Sequence, residues 1–177
     1  MKTALSLLAV ATILVAPRLS ATQSTGFSVI QESADELSPE VQLYVGRGDE
    51  SSSDLNYGAA ARDYRRAADV ARREGHLPSS TSWKLANALY YDGDLVGAAA
   101  VLDQLTNEAG LVGDLEVEAL AIYYAAWLDG KAGHKVETAA RVARLEGLLR
   151  SRYLPVAIRD RLSDWLKTSR EVAVRHS

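Results

Sequence analysis

The chain of 177 residues has no cysteine, only four prolines, and one phenylalanine and one methionine. Lack of cysteine excludes a disulfide scaffold, a thiol nucleophile, a CxxC redox pair and any cysteine-based zinc site. Positive charge is not in excess either. The formal net charge of −3 argues against a nucleic-acid binder, whose footprint is a strongly basic domain. Beyond Ser38 no alternating apolar runs flank a hairpin turn, so β structure is not expected. Motifs for cofactors and hydrolytic chemistry are missing as well: no HExxH, GxSxG, GxxxxGK[ST] or GxGxxG occurs, and no cofactor is expected. What remains is a chain 47% hydrophobic and 24% charged, enough for one domain with a buried core.

The long apolar run is confined to the start. Lys2 precedes residues 4–16, which carry no charge until Pro17 and Arg18 end the run. About thirteen residues suit the apolar segment of a secretory signal and fall short of the ~20 needed to span a bilayer. Residues 1–21 are therefore read as a signal peptide, cut after Ala21, and the protein as exported, periplasmic or secreted, with no transmembrane segment in its mature form. Residues 22–37 are polar with scattered apolar positions and read as a tether.

From Ser38 the pattern is helical. Ser38-Pro39 opens a first helix that the glycines end near Gly46 or Gly48, leaving GRGDESSSD as a loop with Asp54 to cap the next helix. Further helices are expected to about Glu74, from Ser80 or Thr81 to Asp92, over residues 95–107, from Asp114 to Asp129, over residues 135–150, and from Pro155 onward. The fold class is all-α, built of stacked antiparallel helix pairs over residues 38–170. Ile158, Leu162, Trp165 and Leu166 form the apolar stripe of a C-terminal capping helix, and residues 171–177 form a frayed tail.

The pairs are self-similar. Tyr57, Ala60, Tyr64 and Ala67 on the second helix fall at the same spacing as Leu95, Ala98, Leu102 and Leu105 on the fourth, and Val136, Ala139 and Ala143 follow it on the sixth. Leu85-Ala86 with Leu89 is echoed by Leu120-Ala121 with Tyr124. Small residues admit a neighbouring helix and large ones fill the space above it, and one such hairpin needs others stacked on it to bury its face. Leu85-Ala86-x-x-Leu89 followed by Gly93-Asp94-Leu95-x-x-Ala98-x-x-x-Leu102 resembles the tetratricopeptide repeat, with one strong repeat and two degenerate ones over residues 38–150. That resemblance implies a superhelix of helix pairs and a concave groove for an extended peptide or partner helix. It also implies that Trp83, Asn87 and Tyr90, at i, i+4 and i+7 on the third helix, line that groove, with Asn87 bonding a bound backbone.

Other candidates carry less chemistry. His76, His134 and His176 stand alone, and Asp92 and Asp94 flank Gly93 as helix-end caps rather than as calcium ligands. Arg47-Gly48-Asp49 spells a tripeptide that integrins recognise, within the expected loop. Arg62, Arg65, Arg66 and Arg73 make a possible outer basic face, suited to an acidic partner or an anionic surface; Arg72, and Arg141 and Arg144 on the sixth helix, add to this arginine clustering. The expected function is a non-catalytic protein–protein interaction module with a protein or peptide partner. A small all-α enzyme, an accessory subunit of an envelope enzyme, or a carrier of a small apolar ligand is the alternative. Oligomeric state is not legible.

Overall fold

Glycines placed one or two residues beyond a helix end set the turns. Gly75, Gly93, Gly113 and Gly133 all have positive φ, between 78° and 90°, a left-handed conformation that closes a helix at little cost for glycine alone. At the second of these turns the Gly93 amide donates to the Tyr90 carbonyl (3.1 Å) and the Asp94 amide to Leu89 (2.9 Å). The same pair of bonds recurs at residues 71–76 and 129–134. The next helix then starts at once. Asp94 accepts from the Gly97 amide (2.8 Å) and Asp114 from the Val117 amide (3.0 Å), satisfying donors the first helical turn leaves open.

The computed structural model describes residues 37–175, with side chains to Lys167; the expected signal peptide and nearly all of the expected tether lie outside the described residues, as does His176. Among the described residues there are seven helices and no strand: α1 (Pro39–Ser53), α2 (Tyr57–Arg73), α3 (Ser79–Tyr91), α4 (Leu95–Val112), α5 (Leu115–Ala132), α6 (Lys135–Leu149) and α7 (Val156–Arg175). Helices adjacent in sequence pack on each other. α1 and α2 run antiparallel, since Glu40 meets Arg73 at one end (3.8 Å) while Asp49 meets Tyr64 farther along (2.7 Å).

Contacts between helices two apart sort the stack into two layers. In the odd layer Lys84 of α3 reaches Asp49 of α1 (2.6 Å). Trp83 and Tyr90 of α3 meet Tyr124 and Trp127 of α5, and Tyr123 of α5 meets Trp165 of α7. In the even layer Arg72 of α2 pairs with Glu108 of α4 (2.7 Å), and Asp103 of α4 with Arg141 of α6 (2.5 Å). Between the layers lies a core rich in alanine: Ala60, Ala86, Ala98, Ala119, Ala121 and Ala125 are fully buried, with Leu102, Leu105, Leu128 and Leu145 filling the space the small residues leave. α7 covers the end of the stack through Ile158, Leu162 and Leu166, all buried. The expected helix pairs and terminal cap are therefore present.

Five local expectations are corrected. α1 does not stop at Gly46 or Gly48 but continues through GRGDESSS to Ser53. Packing against α2 outweighs the propensity cost of two glycines, roughly 1 kcal/mol each. Asp54 consequently closes α1, and Asn56 caps α2 by accepting from the Ala59 amide (3.2 Å). Arg47-Gly48-Asp49 is thus helical rather than an exposed loop. Gly48 is buried, and Asp49 is engaged by Tyr64 and Lys84. α4 and α5 each run on past their expected ends, to Val112 and Ala132, so the turn at Gly133-His134 is as tight as its counterparts. On α6 the residues matched to the repeat spacing point outward: Val136 is 78% exposed, and Ala139 and Ala143 are exposed too. Its inward face is Leu145, with Val142 and Leu149 partly buried beside it.

Candidate functional site

The face of α3 that carries Trp83, Asn87 and Tyr90 is covered by α5. Trp83 is 0% exposed and sets its ring edge-on to Tyr124, centroids 5.2 Å apart. A groove position was expected for it, and the structure places it in the core. The reason is geometric: residues off the Leu85–Leu89 stripe still face a protein surface, because the next odd helix lies alongside. Asn87 is half-buried, and its Oδ1 is shielded from solvent with no hydrogen-bond partner among the described residues. Tyr90 is half-buried and tilts against Trp127 at 5.4 Å.

Tyr90 belongs to a row of rings. It lies edge-on to Tyr91 (5.2 Å), which is 46% exposed and stacks on Tyr57 at the start of α2 (5.1 Å, 25° between planes). At the other end the Lys131 ammonium stands 4.6 Å above the Trp127 ring, a cation–π contact that fixes the ring and leaves the charge in solvent. The order Tyr57, Tyr91, Tyr90, Trp127, Lys131 follows the end of the stack where α3 and α5 finish and α2 begins. Each ring keeps part of its face or edge outward. Trp83 and Tyr124 stand farther back toward the α3 and α5 starts, with Tyr123 between Tyr124 and Trp165. Burial, then the neighbouring Tyr124, pushes the Tyr123 phenol above its usual value, with Arg161 pulling against them.

The arginines divide into two kinds. Arg72, Arg141 and Arg144 serve the stack: Arg144 reaches the nearly buried Glu118 of α5 (2.8 Å), and Arg141 joins Asp129 as well as Asp103. Arg62, Arg65, Arg66 and Arg73 are all exposed on α2, as the basic-face reading expected. Among the described residues, Arg66 and Arg73 have only distant carboxylates, Asp63 and Glu40, each at 3.8 Å. Tyr44 and Arg47 of α1 join this surface, with the guanidinium groups of Arg47 and Arg66 at 5.9 and 5.8 Å from the Tyr44 ring. Arg47 was expected in a loop because the glycines read locally as the end of α1, and no local pattern indicates that Tyr44 lies beside α2.

His134 caps α6 without a side-chain bond to the helix and lies 3.5 Å from Asp129; His76 is exposed. Asp92 and Asp94 sit at the adjoining ends of α3 and α4, Asp94 as a cap. Among the described residues no three His, Cys, Asp or Glu side chains gather as metal ligands would, and no helix is long and apolar enough to cross a membrane. No protein-family model matches the chain, and neither a curated protein nor a solved structure matches it significantly.

Proposed function

We propose that this chain is an exported, non-catalytic interaction module of the tetratricopeptide-repeat type, which holds a partner peptide or helix against its odd-helix layer. The observation that supports this reading is the row Tyr57, Tyr91, Tyr90, Trp127 and Lys131. Rings held by one another offer large contact area with few rotors left to freeze, which is the composition of binding hot spots. The row ends in an exposed ammonium, so the partner that suits it carries apolar or aromatic side chains followed by an acid. Of the three residues expected in a groove, Tyr90 keeps a place in this surface, whereas Trp83 is buried beside Tyr124 and the Asn87 Oδ1 is shielded from solvent.

The test is retention of a partner from the native envelope by mature protein. Lys131→Ala is expected to keep the wild-type melting temperature and Tyr91→Ala to stay folded with a cooperative melt only modestly lowered, while both lose the protein that wild type retains, a hot-spot ring being worth about 2 kcal/mol or more in affinity. Retention unchanged in both variants would move the site off this row. Export is checked on the secreted protein by N-terminal sequencing, which should begin near Thr22; an intact Met1 would overturn it.

A further inference from the structure

A second surface, sharing no residue with the aromatic row, lies between α1 and α2. Arg47 on α1 and Arg62 and Arg66, one turn apart on α2, line a cleft of about 340 Å³ together with Asp63 and Glu50. That volume is at the small end of ligand pockets, which run from about 300 to 1,000 Å³, and suits a single functional group or small molecule.

The donors here differ from the arginines that pin the even layer. Arg72 and Arg144, which tie helices together, have a carboxylate close by, at 2.7 Å and 2.8 Å. In the cleft, one Asp63 oxygen lies 3.5 Å from Arg47 and 3.8 Å from Arg66, beyond the ~2.7–3.2 Å of a good N–H···O bond. Arg62 has no carboxylate within ion-pair distance among the described residues. Asp63, its side chain 10% exposed, lowers the mutual repulsion of the guanidiniums without occupying their hydrogens. The Tyr44 ring near Arg47 and Arg66 limits where they can swing. Three guanidiniums against Asp63 and Glu50 leave one net positive charge.

We infer that this cleft is a binding site for one oxyanion group, a phosphate or a carboxylate, held by forked contacts from Arg62, Arg66 and Arg47. A planar guanidinium presents paired N–H donors at the spacing of two oxygens of either group. The group brings the acceptors that Asp63 holds too far away to supply.

Calorimetric titration of the full chain at low salt, with inorganic phosphate in one arm and succinate in the other, tests the site. Single-site saturation by either anion is expected. Phosphate alone would assign a phosphate group, and succinate alone a carboxylate. Arg62→Gln and Arg66→Gln should weaken that binding about tenfold or more, the loss of a charge-assisted contact. Arg65→Gln, equally exposed on α2 but outside the cleft, should leave it within about twofold. Saturation by neither anion overturns the site. Equal weakening by Arg65→Gln also overturns it, since that is how a diffuse positive surface behaves.

Discussion

The ring of Tyr64 occupies the space that a side chain on Gly48 would need. A Cβ built at Gly48 would lie 2.5 Å from Cε1 and 2.6 Å from Cδ1 of that ring, so α1 and α2 cross as closely as they do because residue 48 has no side chain. Asp49 seals the crossing, accepting from the Tyr64 hydroxyl at 2.7 Å and from Lys84 of α3 at 2.6 Å. Gly48→Ala should therefore cost about 1–3 kcal/mol, the range for overpacking. Gly46→Ala, in the same helix with nothing within 4 Å, should gain about 0.5–1 kcal/mol from helix propensity. Denaturant midpoints of the two variants should move in opposite directions, and a shared direction would contradict the crossing.

Trp83 provides a second contrast. Fully buried, it should cost about 3–5 kcal/mol when cut to alanine, whereas Tyr91→Ala, 46% exposed, should cost under about 1.5 kcal/mol, mostly the value of its ring contacts. Ala98→Trp, at a position with 0% exposure, should lower the melting temperature sharply or abolish cooperative unfolding. A cooperative, wild-type-like melt for Ala98→Trp would be incompatible with the packing between the layers.

The caps predict a stabilising change. Asp94 and Asp114 each bond a first-turn amide, but His134, at the corresponding place before α6, makes no such bond. His134→Ser should supply it and add about 0.5–1 kcal/mol. Asp114→Ala should remove about the same from α5. Thermal melts of the two variants check both signs.

Stability should fall at high pH. Burial first, then the hydrogen bond and charge of Asp49, push the Tyr64 phenol well above its ordinary value of 10.0. The folded state thus holds this proton more tightly than the unfolded chain does. That contribution is complete below pH 10 and is lost as pH rises from there toward the folded state's higher value. Urea midpoints measured from about pH 8 to about pH 11.5 should drop, and Tyr64→Phe should flatten part of the drop. Tyr123, also raised by burial, sustains the rest.

How much of this was legible depends on the range of the chemistry. Gly93-Asp94 declares a helix end and the next helix start within two residues, so that turn was readable, and Asp114 was readable as a cap although α4 runs five residues past its expected end. Gly46 and Gly48 look like the same punctuation but are overruled by Tyr64, sixteen residues beyond Gly48, which no local rule contains. The i, i+4, i+7 spacing correctly placed Trp83, Asn87 and Tyr90 on one side of α3. It carried no information on what lies opposite, and α5 lies there. On α6, Val136, Ala139 and Ala143 fit the repeat spacing, yet Leu145 takes the core position and Arg141 the bonds to Asp103 and Asp129. The outward arginines of α2 were visible, but their convergence with Arg47 depends on a longer α1.

From α3 onward the odd layer is joined by ring contacts, while Lys84–Asp49 ties α3 to α1 and ion pairs join the even layer. Aromatic contacts on the α3–α5–α7 side do not depend on ionic strength, whereas the α2–α4–α6 side is pinned by Arg72–Glu108 and Asp103–Arg141, which added salt screens. Added salt should therefore weaken the Arg72–Glu108 and Asp103–Arg141 links and the Lys84–Asp49 link, modestly because they are partly buried, and leave the ring contacts from α3 to α7 as they are. A ligand held on the aromatic row between α3 and α5 would rest on contacts that ionic strength leaves unchanged.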